Sequence, residues 1–249
     1  MSTNSLSKRE LERYDRQIRI PEIGVEGQSK LKKSRVLIVG VGGLGGVVAT
    51  YLALGGVGYI RLVDDGLLEL SNLNRQIPYS ERDLGRIKVE AAAERLRSLN
   101  SDIMVEPVST KITPANVDEL IRDVDVVVDG LDNFETRLLI NDRCVKLKKP
   151  FIHGAVHSFE GRLMTIIPGE GPCLRCLVPE PPPLQDVTPI IGPVPGVIGS
   201  LEALETIKLL TDVGTLLIGK ILIFNGIDLE FTLISIAKSP SCPTCSRDL

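Results

Sequence analysis

Between the aliphatic run that starts at Arg35 and the small apolar residues that follow, the chain reads Gly40-Val41-Gly42-Gly43-Leu44-Gly45. No other segment limits the fold as much. G-x-G-x-x-G lets a strand turn sharply into a helix and lets backbone amides approach a phosphate, with the helix N-terminus favouring negative charge. The spacing therefore predicts a buried strand over Arg35–Gly40, a helix over Gly43–Leu54 and a second strand, Tyr59–Asp64. That strand ends on an acid 19 residues after Gly45, where a carboxylate can take ribose hydroxyls. Gly40, Gly42, Gly43, Gly45 and Asp64 are the first candidate nucleotide contacts. The uncharged stretch Val36–Ile60, 25 residues, has the length of a membrane span. Its eight glycines favour strand, turn and buried helix instead.

The rest of the chain alternates in the same way. Ser7 and Glu10 form a capping-box pattern opening a helix over residues 8–20. That helix is mostly charged and is read as an arm, within residues 1–33, outside the core. Further elements are a helix over Gly85–Asn100, a strand Ile103–Ser109, a helix capped by Thr113 with Pro114 at its first position, and a strand Asp125–Asp129 with almost no polar face. A helix Asn133–Lys148 and a strand Pro150–Val156 complete the alternation. After Glu160 come a strand Arg162–Ile167, a Pro-rich and nearly uncharged loop Val178–Pro195, a helix Val197–Leu210, and two strands, Lys220–Asn225 and Glu230–Ile236, that read as antiparallel. The expected fold is α/β: a Rossmann-like, doubly wound, mostly parallel sheet extended by antiparallel strands. It is read as one domain over residues 1–249, with a nucleotide-binding half (34–156) and a second half (157–249).

At 249 residues and 43% hydrophobic the chain can bury a full core. Its net charge of −3, without a long basic run, argues against nucleic acid and anionic membrane as partners. Aromatics are 4% and Trp is absent, so base-stacking platforms are not expected. The polar N-terminus has no apolar signal core, which places the protein in the cytoplasm.

Ser71-Asn72-Leu73-Asn74-Arg75-Gln76 puts an arginine and two asparagines just beyond Asp64, and Lys88 follows 13 residues after Arg75. Two cations near a phosphate loop suit polyphosphate chemistry. They have no role in the hydride transfer of an NAD enzyme, the other common owner of G-x-G-x-x-G. Asp129-Gly130-Leu131-Asp132-Asn133 closes a strand at the carboxyl edge of the sheet. There Asp132 can hold Mg²⁺, or either Asp132 or Asn133 can cap the next helix. Cys173-x-x-Cys176 and Cys242-x-x-Cys245 read as a Cys₄ zinc site, with disulfides as the rival. Cys144 reads as a small buried residue, and His153 and His157 as structural.

In order, Arg13–Ile18 (RYDRQI), GVGGLG, SNLNRQ, the Lys88 helix, DGLDN and both CxxC pairs resemble the E1-like, ubiquitin-activating type of adenylyltransferase, especially the members that activate sulfur carriers for molybdopterin, thiamine and tRNA thiolation. The resemblance spans nearly the whole chain. It implies ATP-dependent adenylation of the C-terminal glycine of a small ubiquitin-like or sulfur-carrier protein ending in Gly-Gly, with ATP, Mg²⁺ and Zn²⁺ as cofactors. It also implies roles for Gly43, Asp64, Asn72, Arg75 and Lys88 on ATP, Asp132 on magnesium, and Arg16 reaching into the site of a partner subunit in a homodimer. There are two departures. The family's second strand often ends D-x-D, and here Gly66 takes the second acidic place, after Asp65. Many members carry a cysteine about seven residues before a G-P-x-x-G stretch. Here Gln185 aligns there, and no cysteine lies between Cys176 and Cys242. The expectation is an enzyme that stops at the acyl-adenylate, with sulfur supplied by a separate donor protein. A non-catalytic E1-like subunit is the remaining alternative within the family.

Overall fold

The structure, a computed structural model, describes residues 6–181 and 189–246. Among them, eight strands form one sheet in the order β3-β2-β1-β4-β5-β6-β7-β8. β1 (Arg35–Val39), β2 (Tyr59–Val63), β3 (Met104–Val108), β4 (Val126–Asp129) and β5 (Phe151–His157) run parallel. β6 (Glu160–Ile166), β7 (Lys220–Asn225) and β8 (Glu230–Ser235) extend the sheet antiparallel. The expected doubly wound sheet with an antiparallel extension is therefore present. β1 pairs with β2 on one side and β4 on the other. Successive connections change direction there, so the crevice beyond the carboxyl ends of β1 and β4 is where this sheet type takes ligands.

The β1 and β4 residues alternate between two cores. Val36, Ile38, Val126 and Val128 face α4 (Gly43–Gly55), α5 (Lys88–Leu99) and α9 (Pro193–Thr211). Leu37, Val39 and Val127 face α6 (Val117–Arg122), α7 (Phe134–Leu147) and α8 (Leu174–Leu177). Both faces of the parallel strands are buried, which is why their sequences are nearly continuous aliphatic runs. No helix among the described residues is long and apolar enough to cross a membrane.

Several boundaries differ from the sequence expectation. The N-terminal helix is two pieces, α1 (Lys8–Arg13), opened by the Ser7–Glu10 capping box, and α2 (Asp15–Ile18). A further helix, α3 (Gly24–Lys33), follows. Nor does this arm lie outside the core. Leu6, Glu10 and Tyr14 are buried, and the Tyr14 hydroxyl accepts a hydrogen bond from buried Asn100 at 2.8 Å. α5 begins at Lys88 rather than Gly85. Thr113 does not cap α6. The helix starts at Val117, and the Asn116 carboxamide oxygen instead accepts from the Thr113 N–H, closing a turn. α9 starts at Pro193, inside the expected loop, because proline fits a first helical turn where no N–H is needed.

Candidate functional site

Gly40 follows β1 at φ +84°, in the left-handed region. A side chain there would strike the carbonyl of Gly130, and one at Gly45 would strike the carbonyl of Gly40. The ends of β1, α4 and β4 thus touch through bare backbone. Among the described residues no side chain caps α4, whose N-cap is Gly42, so its first-turn amides remain available to an anion. Asp64 frames the loop from below. One carboxylate oxygen accepts from the Val41 N–H at 2.9 Å and the other from the Gly66 N–H at 2.8 Å.

The cations stand around this loop. Arg75 lies close to Gly43, its Cγ 3.6 Å from where a Gly43 side chain would begin. Among the described residues its guanidinium donates only to the Ser71 carbonyl and the Asn74 carboxamide oxygen, both at 2.9 Å. Lys88 Nζ lies 3.5 Å from where a Gly66 side chain would begin, with Asp64 Oδ1 on the same spot. Neither Arg75 nor Lys88 pairs with a carboxylate among the described residues, although Arg13, Arg19, Arg35, Arg61, Arg86, Arg137, Arg143 and Arg175 do. Asn72 is buried and spends its carboxamide oxygen on the Glu69 N–H at 3.1 Å.

The two acids of DGLDN have opposite fates. Asp129 is fully buried. It accepts from the Leu131 N–H (2.9 Å), Arg137 Nε (3.0 Å) and His153 Nδ1 (2.7 Å). Burial holds the His153 imidazole below its ordinary pKa despite Asp129, so the neutral ring donates its Nδ1–H. His153 is a satisfied structural residue, as expected, and His157 is exposed. Asn133, not Asp132, caps α7 by accepting from the Thr136 N–H at 2.9 Å. That leaves Asp132 exposed at the sheet edge, where its carboxylate accepts from the Asn133 amide at 3.5 Å.

Arg16 is the candidate the fold does not bring to this cluster. It is exposed on α2, next to Gln17, which donates to the Gly55 carbonyl at the far end of α4. A 13-residue helix is about 20 Å long. Arg16 is thus separated from its own phosphate loop by the length of α4.

The four cysteines of the two CxxC pairs converge, with all four sulfurs within 4.8 Å of one another. Cys173–Cys242 at 3.6 Å and Cys176–Cys245 at 3.4 Å are far from the ~2.05 Å of a disulfide. They are near the ~3.7 Å edge of a tetrahedron with ~2.3 Å zinc–sulfur bonds. Four free thiols, closed off by protein, fit a structural Zn²⁺. α7 holds this knuckle. The Asn141 carboxamide oxygen accepts from the Leu174 N–H, and Asp142 accepts from Arg175 and Thr244. Cys144 is fully buried, and burial pushes its thiol above the ordinary range. Gln185 lies outside the described residues.

Sequence reasoning passed over three groups. Asp129 was hidden behind Asp132, although an acid ending an all-valine strand with an arginine eight residues on is a visible cue. Pro78 and Tyr79 grip the phosphate loop, Pro78 against Gly46 and the Tyr79 hydroxyl donating to the Val41 carbonyl at 2.8 Å. Glu202 of α9 is fully buried above Gly154, neither oxygen has a hydrogen-bond partner among the described residues, and burial raises its pKa well above the ordinary range.

A family model described as the ThiF family matches residues 14–244. The chain belongs to the ThiF family. It is an E1-like adenylyltransferase, as the motif order implies. A "SAMP-activating enzyme E1" from Haloferax volcanii is 44% identical, covering 98% of this chain and 92% of its own. A "sulfur carrier protein adenylyltransferase" from Thermus thermophilus is 41% identical, covering 97% and 93%. The chain spans only 56% of a relative from Culex quinquefasciatus named "adenylyltransferase and sulfurtransferase MOCS3", at 43% identity over 97% of this chain. Among solved structures, E. coli MccB with ATP superposes with a TM-score of 0.84 at 25% identity, covering 98% of this chain and 77% of MccB.

Proposed function

We propose that this ThiF-family chain uses ATP to adenylate the C-terminal glycine carboxylate of a small ubiquitin-like or sulfur-carrier protein in the cytosol, and that it does so as one adenylation domain. The observation that carries this is the pair of cations, Arg75 and Lys88, without carboxylate partners among the described residues and placed around a helix N-terminus whose N-cap is glycine. Charge left uncompensated in such a place suits a polyphosphate. The Haloferax and Thermus relatives are named for activating small carriers, which supports the choice of acceptor.

The carrier's carboxylate is ionised at neutral pH, so no general base is required. One of its oxygens forms a bond to the α-phosphorus of ATP, the α–β anhydride bond breaks, and pyrophosphate leaves with the electron pair. Asp64 takes the ribose, and the Gly42–Gly45 amides, Arg75 and Lys88 hold the phosphates. Asp132 would hold Mg²⁺, which offsets polyphosphate charge. Catalysis is positioning and charge stabilisation. The carrier tail follows the loop 178–195, whose described end, Pro189–Ile191, pairs with Ser158 at the β5–β6 turn. The reaction stops at the acyl-adenylate, because Gln185 offers no thiol and Cys144 is sealed in the core. Sulfur comes from a separate donor protein.

Because Arg16 cannot span α4 to its own loop, it acts across a homodimer. Pyrophosphate exchange into ATP, stimulated by a carrier ending in Gly-Gly, tests the function. No stimulation by any such carrier defeats the proposal. Inactive Arg16→Ala and Asp132→Ala chains should regain part of the activity when mixed, and ultracentrifugation showing a monomer at assay concentration removes the dimer.

A further inference from the structure

The residue after Arg75 is buried at 5% exposure, yet its carboxamide makes no hydrogen bond among the described residues. This is Gln76. Its backbone is fixed at both ends, the N–H donating to the Asn72 carbonyl at 3.0 Å and the carbonyl accepting from Tyr79 at 3.3 Å. Two residues on, Pro78 packs against Gly46, and the Tyr79 hydroxyl holds the Val41 carbonyl. The segment is thus bolted to the phosphate loop, and the side chain has little freedom to leave. Gln76 Nε2 lies 3.6 Å from where a side chain on Gly42 would begin, beside the N-cap of α4. Its Oε1 is fully buried without a partner.

Leaving a buried polar atom unpaired costs stability, whereas an apolar side chain of the same shape would not. Beside it stand groups that attract anions: the first turn of α4, with Gly42 and Gly43, and Arg75. A carboxamide there adds two N–H donors without adding charge. We infer that the Gln76 carboxamide is a direct contact for the phosphates of bound ATP, donating to a phosphate oxygen over Gly42. This rests on the adenylation reading and deepens it by assigning a neutral donor alongside the two cations. The Nε2 group already stands beside Gly42, so its donors can meet a phosphate there without rearrangement.

The test is calorimetric titration of the full chain with magnesium ATP, and separately with adenosine, which lacks phosphates. Gln76→Met keeps length and removes the polar group. Without ligand it should melt at or above the wild-type temperature, since an unpaired amide has been replaced by an apolar chain. Its ATP affinity should fall about 10- to 100-fold, with adenosine affinity within about twofold of wild type. Gln76→Glu keeps the shape but turns a carboxylate toward the phosphates, and its loss of ATP affinity should be larger. If circular dichroism shows Gln76→Met unfolded, Gln76→Glu decides by the same comparison. Variants that bind ATP within about twofold of wild type overturn the inference. So does an equal loss of ATP and adenosine, which marks a structural role. Wild-type chain that binds no ATP overturns the adenylation reading itself, which separates the two failures.

Discussion

The two halves of the sheet are held in place by different means. Around β1, α4 and β4 the shape is set by backbone meeting backbone at Gly40, Gly45 and Gly130, and the buried acid, Asp129, has three donors. Around β5 to β8 the shape depends on groups that backbone logic does not supply. Four thiols gather the C-terminus onto α7 and α8, and α9 presses an unpaired carboxyl against Gly154. The nucleotide half is built so that few residues can change. The second half is built from separable parts, each of which can be removed and its effect measured.

The largest effect should come from Gly45→Val. It drives a side chain into the Gly40 carbonyl, and unfolding in urea should show a loss of about 4 kcal/mol or more. A stable Gly45→Val protein would mean that the backbone contact is not what fixes this half. Next is Asp129→Ala, which leaves Arg137 buried without its carboxylate and should cost about 3–5 kcal/mol. Asp132→Ala, three residues away but exposed, should stay within about 0.5 kcal/mol of wild type while pyrophosphate exchange falls about 100-fold or more. Equal stability losses at the two positions would erase the distinction between them.

In the second half, chelating the metal should lower the melting temperature by about 5–10 °C and expose residues 239–246 to protease, because binding to a closed site is folding free energy. Metal analysis finding well under one zinc per chain would return the cysteines to other chemistry. The smallest effect is at Glu202. Its folded pKa is raised by burial and by the charge of Asp129, with Arg137 opposing. The folded state therefore holds this proton more tightly than the unfolded chain. Stability from the neutral acid is complete below the ordinary carboxyl range and is lost as pH rises from there through the folded value. Glu202→Gln should flatten that slope and add on the order of 1 kcal/mol at pH 8. A pH profile identical to wild type would show that the carboxyl is not neutral in this packing.

The same contrast explains what could be read in advance. Elements fixed by local pattern were legible: β7 runs Lys220–Asn225 as expected, and both CxxC pairs meet. The phosphate loop was legible because only glycine suits its close approaches. α3 was not, since GVEGQSKLKK has two glycines and a weak apolar stripe. Its anchor is tertiary, Gln28, fully buried and donating to the Gly55 carbonyl at 3.0 Å. Gln76 and Glu202 escaped for the same reason. A polar residue in a sequence does not say whether it is buried or what it will meet there.

The Tyr79–Val41 hydrogen bond has an optical consequence. The chain has four tyrosines and no tryptophan, so its ultraviolet emission comes from tyrosine alone, with no indole to drain or mask it. Tyr79 is the tyrosine whose hydroxyl is tied to the Gly40–Gly45 loop. Any movement of that loop that lengthens the bond alters the environment of one of only four emitters. The protein carries its own probe of the loop, and occupancy can be followed without a dye, a label or a substitution.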